Sequence, residues 1–254
     1  MSRTKSPETR QASRNRKNAE KFPDLVNGQS DLDAHLERES NRIRFGRLEP
    51  RNEKQDFMIK AIEDKRIIFV TGPAGTGKTF VATSLACEML EAHLIDKIII
   101  ARPMVGCEEE MGFIPGTEFE KYSQWLGPFF DVLEGKLGKT KVESYFKFKK
   151  IVAMPLMTMR GATFRNAMVI LDEAQNTTPG QMKMFLTRLG EGAKVVLDGD
   201  LEQTDLPKGK ENGLADALNV LGHSTSAAFV EFNEDEITRD PLVRDIVLAY
   251  RHRK

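Results

Sequence analysis

Eight consecutive residues, Gly72-Pro73-Ala74-Gly75-Thr76-Gly77-Lys78-Thr79, meet every position of the pattern G-x-x-x-x-G-K-[ST]. Few stretches narrow a fold as much, because this loop works only between a strand and a helix. Ile67-Ile68-Phe69-Val70 reads as a short buried strand ahead of it, and Val81, Leu85, Met89 and Ala92 recur behind it at helical spacing. The glycines let the backbone wrap with its N–H groups pointing inward, where they and a helix N-terminus can bind phosphate oxygens. Lys78 adds a charge suited to β- and γ-phosphates, and the Thr79 hydroxyl suits Mg²⁺. An ordinary glycine-rich turn accounts for the glycines but leaves the Lys-Thr pair unexplained.

A complementary pair of acids stands further on. Met168-Val169-Ile170-Leu171 is an apolar strand ending in Asp172-Glu173, the arrangement in which Asp172 holds Mg²⁺ and Glu173 orients and deprotonates the attacking water. Lys194-Val195-Val196-Leu197 is the next strand, followed by Asp198-Gly199-Asp200 and then Gln203, which stands where a γ-phosphate sensor belongs, the alternative being an ordinary turn residue. Upstream, Asn52 to Asp64 reads as a helix with Asn52 as N-cap. Gln55 either caps that helix or hydrogen-bonds an adenine edge. Lys97 to Ala101 is another buried strand, and Arg102 leaves its carboxyl end, the edge where open parallel sheets bind ligands. A strand over Ile151 to Met154 runs into an expected loop, Pro155 to Thr163, that carries Arg160.

Thr117 to about Leu137 has helical spacing with a kink expected at Pro128, followed by a Gly-Lys-rich loop over 135–141. Its aromatic stripe suits a core better than stacked bases. Tyr145, Phe146 and Phe148 among Lys147, Lys149 and Lys150 make a better nucleic-acid surface. Thr178-Pro179-Gly180-Gln181 opens a helix, Glu211 to Leu221 forms another, and Ala228 to Phe232 is a final strand before a closing helix from Asp240. Arg239, between the last two elements, could reach phosphate in its own subunit or across an interface. Strands alternating with helices predict an α/β domain over 46–254 with a mostly parallel sheet flanked by helices. Residues 1–45 hold few large apolar side chains and are expected to be a disordered tail, with seven Lys/Arg against two acids in the first 22.

Balanced charge, 38 Lys+Arg against 38 Asp+Glu, points to neither a nucleic-acid binder nor a membrane-surface protein as a whole. Two cysteines without metal-ligand spacing fit a reducing interior. With no apolar run of membrane-spanning length and no apolar leader, a soluble cytoplasmic protein without membrane partners is expected.

The segments GPAGTGKT, ARPMV, MGFIPG, MRGATF, VILDEAQNTTPGQMKMFLTRLG, GDLEQTDLP, NGL and TRDPLV resemble, in order, the motif set of the PhoH-like P-loop ATPases. The resemblance implies a RecA-like P-loop NTPase core related to superfamily 1 helicases but lacking their second motor lobe. It implies ATP and Mg²⁺ as ligands, ATP hydrolysis as the activity, a homo-oligomeric and hexameric ring, and RNA or another single strand as partner. It makes Gln55 the adenine contact, Lys78 and Thr79 the phosphate and Mg²⁺ contacts, Asp172 and Glu173 the metal and water residues, Gln203 the γ-phosphate sensor and Arg239 a trans-acting arginine. Arg102 and Arg160 are the nucleic-acid candidates. The chain departs from the family pattern at Ala162, where an arginine is usual, and at Asn212, where a serine is. Its compact length resembles the stand-alone and phage-borne members, the latter acting in a host cytoplasm.

Overall fold

The computed structural model describes Arg38, residues 41–104 and 126–238, Leu242 and Ile246. Its elements in chain order are α1 (Glu53–Asp64), β1 (Ile67–Thr71), α2 (Lys78–Glu91), β2 (Lys97–Arg102), α3 (Gly127–Leu137), α4 (Lys139–Lys147), β3 (Ile151–Pro155), β4 (Ala167–Leu171), α5 (Pro179–Leu186), β5 (Lys194–Gly199), α6 (Gly213–Leu221) and β6 (Ala227–Glu231). Among the described residues the strands form one sheet in the order β3-β2-β4-β5-β1-β6, and every neighbouring pair is parallel. A parallel sheet must be covered on both faces, which is why its strands read as apolar runs rather than as alternating ones. One face, with Ile68, Val70, Ile98, Ile100, Met168 and Ile170, packs against α1 to α4. The other, with Phe69, Ile99, Val169, Leu171, Val195 and Leu197, packs against α5 and α6.

The strand order decides where chemistry can occur. β5 lies between β1, which feeds the glycine loop, and β4, which feeds Asp172. Three carboxyl ends therefore open side by side onto one edge, with the end of β5 in the middle.

Local signals explain most boundaries. Asn52 caps α1 by accepting the Gln55 N–H, and Thr178 with Gln181 closes a reciprocal capping box on α5, with Pro179 in the first turn. Asn212 accepts from both Leu214 and Ala215, so it caps α6 as a serine would. Two expectations are corrected. Pro128 begins α3 instead of kinking a longer helix, because a proline lacking N–H fits the first turn, where that donor has no partner anyway. The loop expected over 135–141 is the junction of two helices meeting at Gly138, whose φ of 79° breaks the helical run. The expected loop from Pro155 also holds a 3₁₀ turn, Leu156–Met159.

Of the tail expected over 1–45, Arg44 and Phe45 pack: Arg44 pairs with Asp131, and the Phe45 ring meets Phe80 edge-on at 5.2 Å. The rest of that tail, apart from Arg38 and residues 41–43, lies outside the described residues, as do residues 117–125 of the helix expected to end near Leu137, and Arg239. Of the closing helix, Leu242 and Ile246 are described, and both are helical.

Candidate nucleotide site

The loop after β1 is built as a cradle. Gly72, Gly75 and Gly77 have φ of 127°, 90° and 87°. At Gly72 the absence of a Cβ is also steric, since one would stand 2.2 Å from the Phe232 carbonyl oxygen. Neighbouring segments hold the cradle from both sides. Gln55, 3% exposed, donates from Nε2 to the Thr76 carbonyl at 2.9 Å and accepts the Arg51 N–H at 2.9 Å. Thr238 donates its backbone N–H and its hydroxyl to the Gly75 carbonyl at 3.0 and 3.2 Å. Gln55 thus serves the helix start and the loop together, and it lines the cavity beside them.

That cavity, of about 430 Å³, is lined by the loop, Arg51, Phe80, Arg102 and Thr238, with Asp172, Glu173, Asp198, Asp200 and Gln203. Lys78 is buried. Its ammonium donates to the carbonyls of Gly72 and Pro73 at 2.8 and 3.0 Å and lies 3.7 Å from the Asp198 carboxylate. The Thr79 hydroxyl donates to Asp198 Oδ2 at 2.9 Å. Asp172 is held from the other side, its Oδ2 accepting from Arg102 Nε at 2.9 Å and also from Arg102 Nη2. Glu173 is exposed and sits in the left-handed region at φ 51°, a conformation non-glycine residues seldom adopt, and Gln175 donates to its Oε2 at 2.6 Å. Gln175 also donates to the Gln203 carbonyl and accepts the Asp200 N–H, so one buried amide ties the ends of β4 and β5 together. Gln203 donates to Asp200 Oδ2 at 2.9 Å.

Electrostatics single out Asp198. Burial pushes its carboxyl up to about 6, Lys78 and the Thr79 hydroxyl act against that rise, and the nearby Asp172 and Glu173 add to it. Crowded acids of this kind, beside a hydroxyl, suit a hard divalent cation with oxygen ligands. Among the described residues no three acidic, histidine or cysteine side chains form a metal cage by themselves. A cation here would need phosphate and water to complete its shell, the habit of Mg²⁺.

The PhoH family, described as PhoH-like protein, matches residues 47–251. The chain belongs to that family. Protein PhoH of Escherichia coli (strain K12) is 43% identical over 202 residues, covering 79% of this chain and 57% of that protein. The PhoH-like protein of Bacillus subtilis (strain 168) is 45% identical over 192 residues, covering 76% and 60%. The chain thus spans less than two thirds of the length of these curated relatives. Among solved structures, the UvsW helicase from bacteriophage T4 superposes only loosely, with a TM-score of 0.44 at 20% identity, covering 81% of this chain and 67% of that one.

On this PhoH-like frame the residues expected from sequence separate into groups. Gln55, Lys78, Thr79, Asp172, Glu173 and Gln203 come together at one cavity. Arg102, expected on a nucleic-acid surface, faces the same cavity, because the register pairing Ala101 with Leu171 sets it beside Asp172. Arg160 is exposed beyond the 3₁₀ turn and does not line the cavity. In the aromatic–lysine cluster the lysines are exposed, but of the three aromatics Phe146 is buried, the Tyr145 hydroxyl donates to Glu91, and only Phe148, 70% exposed, is open. Asp198 and Thr238 are not among the expected site residues, though each carries a local signal, Asp198 as an acid ending an apolar strand, as Asp172 does, and Thr238 as the first residue of the TRDPLV segment.

Proposed function

We propose that the chain is a Mg²⁺-dependent ATPase, working as a homo-oligomeric ring that acts on RNA or another single strand. The observation that carries the ATPase reading is the meeting of Lys78, Thr79, Asp172, Asp198 and exposed Glu173 at one cavity beside a glycine cradle. The cradle's N–H groups and Lys78 would bind the phosphates, and Gln55, beside the loop, would lie against the base. Thr79, Asp172 and Asp198 would hold Mg²⁺, which supplies charge neutralisation on the phosphates. Glu173 would take a proton from water and hold the water in line, its position fixed by Gln175. Gln203, tied to Asp200, would face the terminal phosphate. Positioning and charge stabilisation then carry the reaction, with no covalent intermediate.

The ring and the single strand rest on family membership and on the likeness of the motif set to helicase cores. A second reading, a nucleotide-dependent switch or assembly scaffold that moves no strand, is favoured by one observation. Arg102, expected to touch nucleic acid, is engaged with Asp172 inside the cavity.

Phosphate release with and without single-stranded RNA tests both. Wild type is expected to hydrolyse ATP, with RNA raising the rate. Glu173→Gln is expected to keep ATP bound while turnover falls by about 10²-fold or more. Equal turnover by this variant and wild type would place the water-activating group elsewhere. Hydrolysis without RNA stimulation or ATP-sensitive RNA binding would leave the switch reading.

A further inference from the structure

Four charged side chains that line the cavity follow one another in the order of the strands that carry them. Arg102 ends β2, Asp172 follows β4, Asp198 is near the end of β5, and Lys78 follows the loop after β1. The sequence of signs is plus, minus, minus, plus. Each outer cation holds the acid beside it: Arg102 bonds Asp172 through two nitrogens, and Lys78 lies 3.7 Å from Asp198. These pairs are largely out of water, with side-chain exposures of 21% and 9% for Arg102 and Asp172, and 9% and 5% for Lys78 and Asp198. The backbone fixes the Arg102 pair as well, because the Asp172 N–H donates to the Ala101 carbonyl at 2.9 Å.

A divalent cation drawn to the two inner acids would compete with both outer cations for their partners. A largely desolvated cation that gives up a carboxylate gains by taking another anion in its place. For Lys78 the phosphates of any nucleotide in the cradle provide it. Arg102 stands at the far end of the row, two strands beyond β1's neighbour β5, so only a longer phosphate chain suits it.

We propose that Arg102 is the residue by which this cavity tells a nucleoside triphosphate from a diphosphate. Its guanidinium, held on Asp172 in the structure, trades that carboxylate for the terminal phosphate when Asp172 turns to the cation. With a diphosphate there is no terminal group to receive it, and Arg102 remains a competitor for Asp172. This inference rests on the reading of the cavity as a Mg²⁺–ATP site.

The test is equilibrium binding by calorimetry of Mg²⁺–ADP and of Mg²⁺ with a β,γ-imido ATP analogue, to wild type, Arg102→Gln and Arg102→Lys. Loss of charge-assisted hydrogen bonds to the terminal phosphate should weaken the analogue about 10- to 100-fold in Arg102→Gln, with ADP changed less than about threefold. Arg102→Lys, which keeps the charge but not the paired N–H geometry, should lose an intermediate amount for the analogue alone. It decides the matter if Arg102→Gln does not fold, as judged by circular dichroism. Equal weakening of both nucleotides, or no change in either, would overturn the proposal, since Arg102 would then only support Asp172 or be idle. Failure of wild type to bind either nucleotide would instead remove the underlying ATP-site reading.

Discussion

Asp198 would govern how strongly the proposed site draws a cation, because it touches the two side chains that a bound phosphate and metal would also engage. It accepts from the Thr79 hydroxyl and lies beside the Lys78 ammonium. Lys78→Ala should abolish nucleotide binding. Asp198→Asn should still bind, but the Mg²⁺ concentration for half-maximal binding should rise about tenfold, read by titrating Mg²⁺ against a fluorescent nucleotide. An unchanged Mg²⁺ requirement would mean that Asp198 merely props Lys78. Cys87 shows the opposite fate of a titratable group. It is 1% exposed within α2, and burial pushes its thiol up to about 12, with Lys136 pulling it down less strongly. A thiolate is therefore scarce at any working pH, and native Cys87 should resist iodoacetamide at pH 8 yet react once the chain is unfolded, read by peptide mass mapping.

At the scale of elements, the C-terminal end of α1 is closed by a partner far away in the chain. The Lys194 ammonium, at the start of β5, donates to the carbonyls of Ile62, Glu63 and Lys65 at 2.7, 2.6 and 3.0 Å. Carbonyls at a helix C-terminus lack partners within the helix and favour a cation, so one side chain closes the end of α1. Burial lowers the pKa of this lysine, and nearby Asp64 and Glu63 counter the effect. Lys194→Ala should destabilise the fold by about 1–2 kcal/mol, seen in urea as a lower midpoint at unchanged slope. Two further elements meet so closely that a Cβ at Gly213 would come within 2.5 Å of the Thr178 carbonyl oxygen. The Asn212-Gly213-Leu214 segment combines both requirements, a capping side chain and then no side chain at all.

For the whole molecule, the proposed ring makes the site an assembly property. Arg239 lies just after Thr238, which bonds the Gly75 carbonyl of the cradle. If it acts across an interface, mixing Arg239→Ala with Glu173→Gln subunits should restore part of the turnover that each variant lacks, since some sites would combine one intact arginine with one intact carboxylate. No recovery on mixing would argue for action within one subunit. Such an arginine is worth about 10³–10⁵ in turnover, so each variant alone should be nearly idle. Much of this molecule was legible in one dimension. The glycine loop, the Asp172-Glu173 strand end and the caps at Asn52 and Thr178 are local patterns, whose physics is complete within a few residues of chain. Pro128 and residues 135–141 misled because helix starts and breaks depend on which neighbouring residues continue the helix and pack, and composition alone does not show that. The sequence by itself thus determined that a phosphate cradle and a pair of acids exist, and on which elements. Only the tertiary structure decided that β5 runs between them, which sets Asp198 against Thr79 across 119 positions of chain and Arg102 against Asp172 across 70. The reason is that strand order in a parallel sheet is fixed by how helices cover its two faces, a property of the folded whole that no short segment encodes.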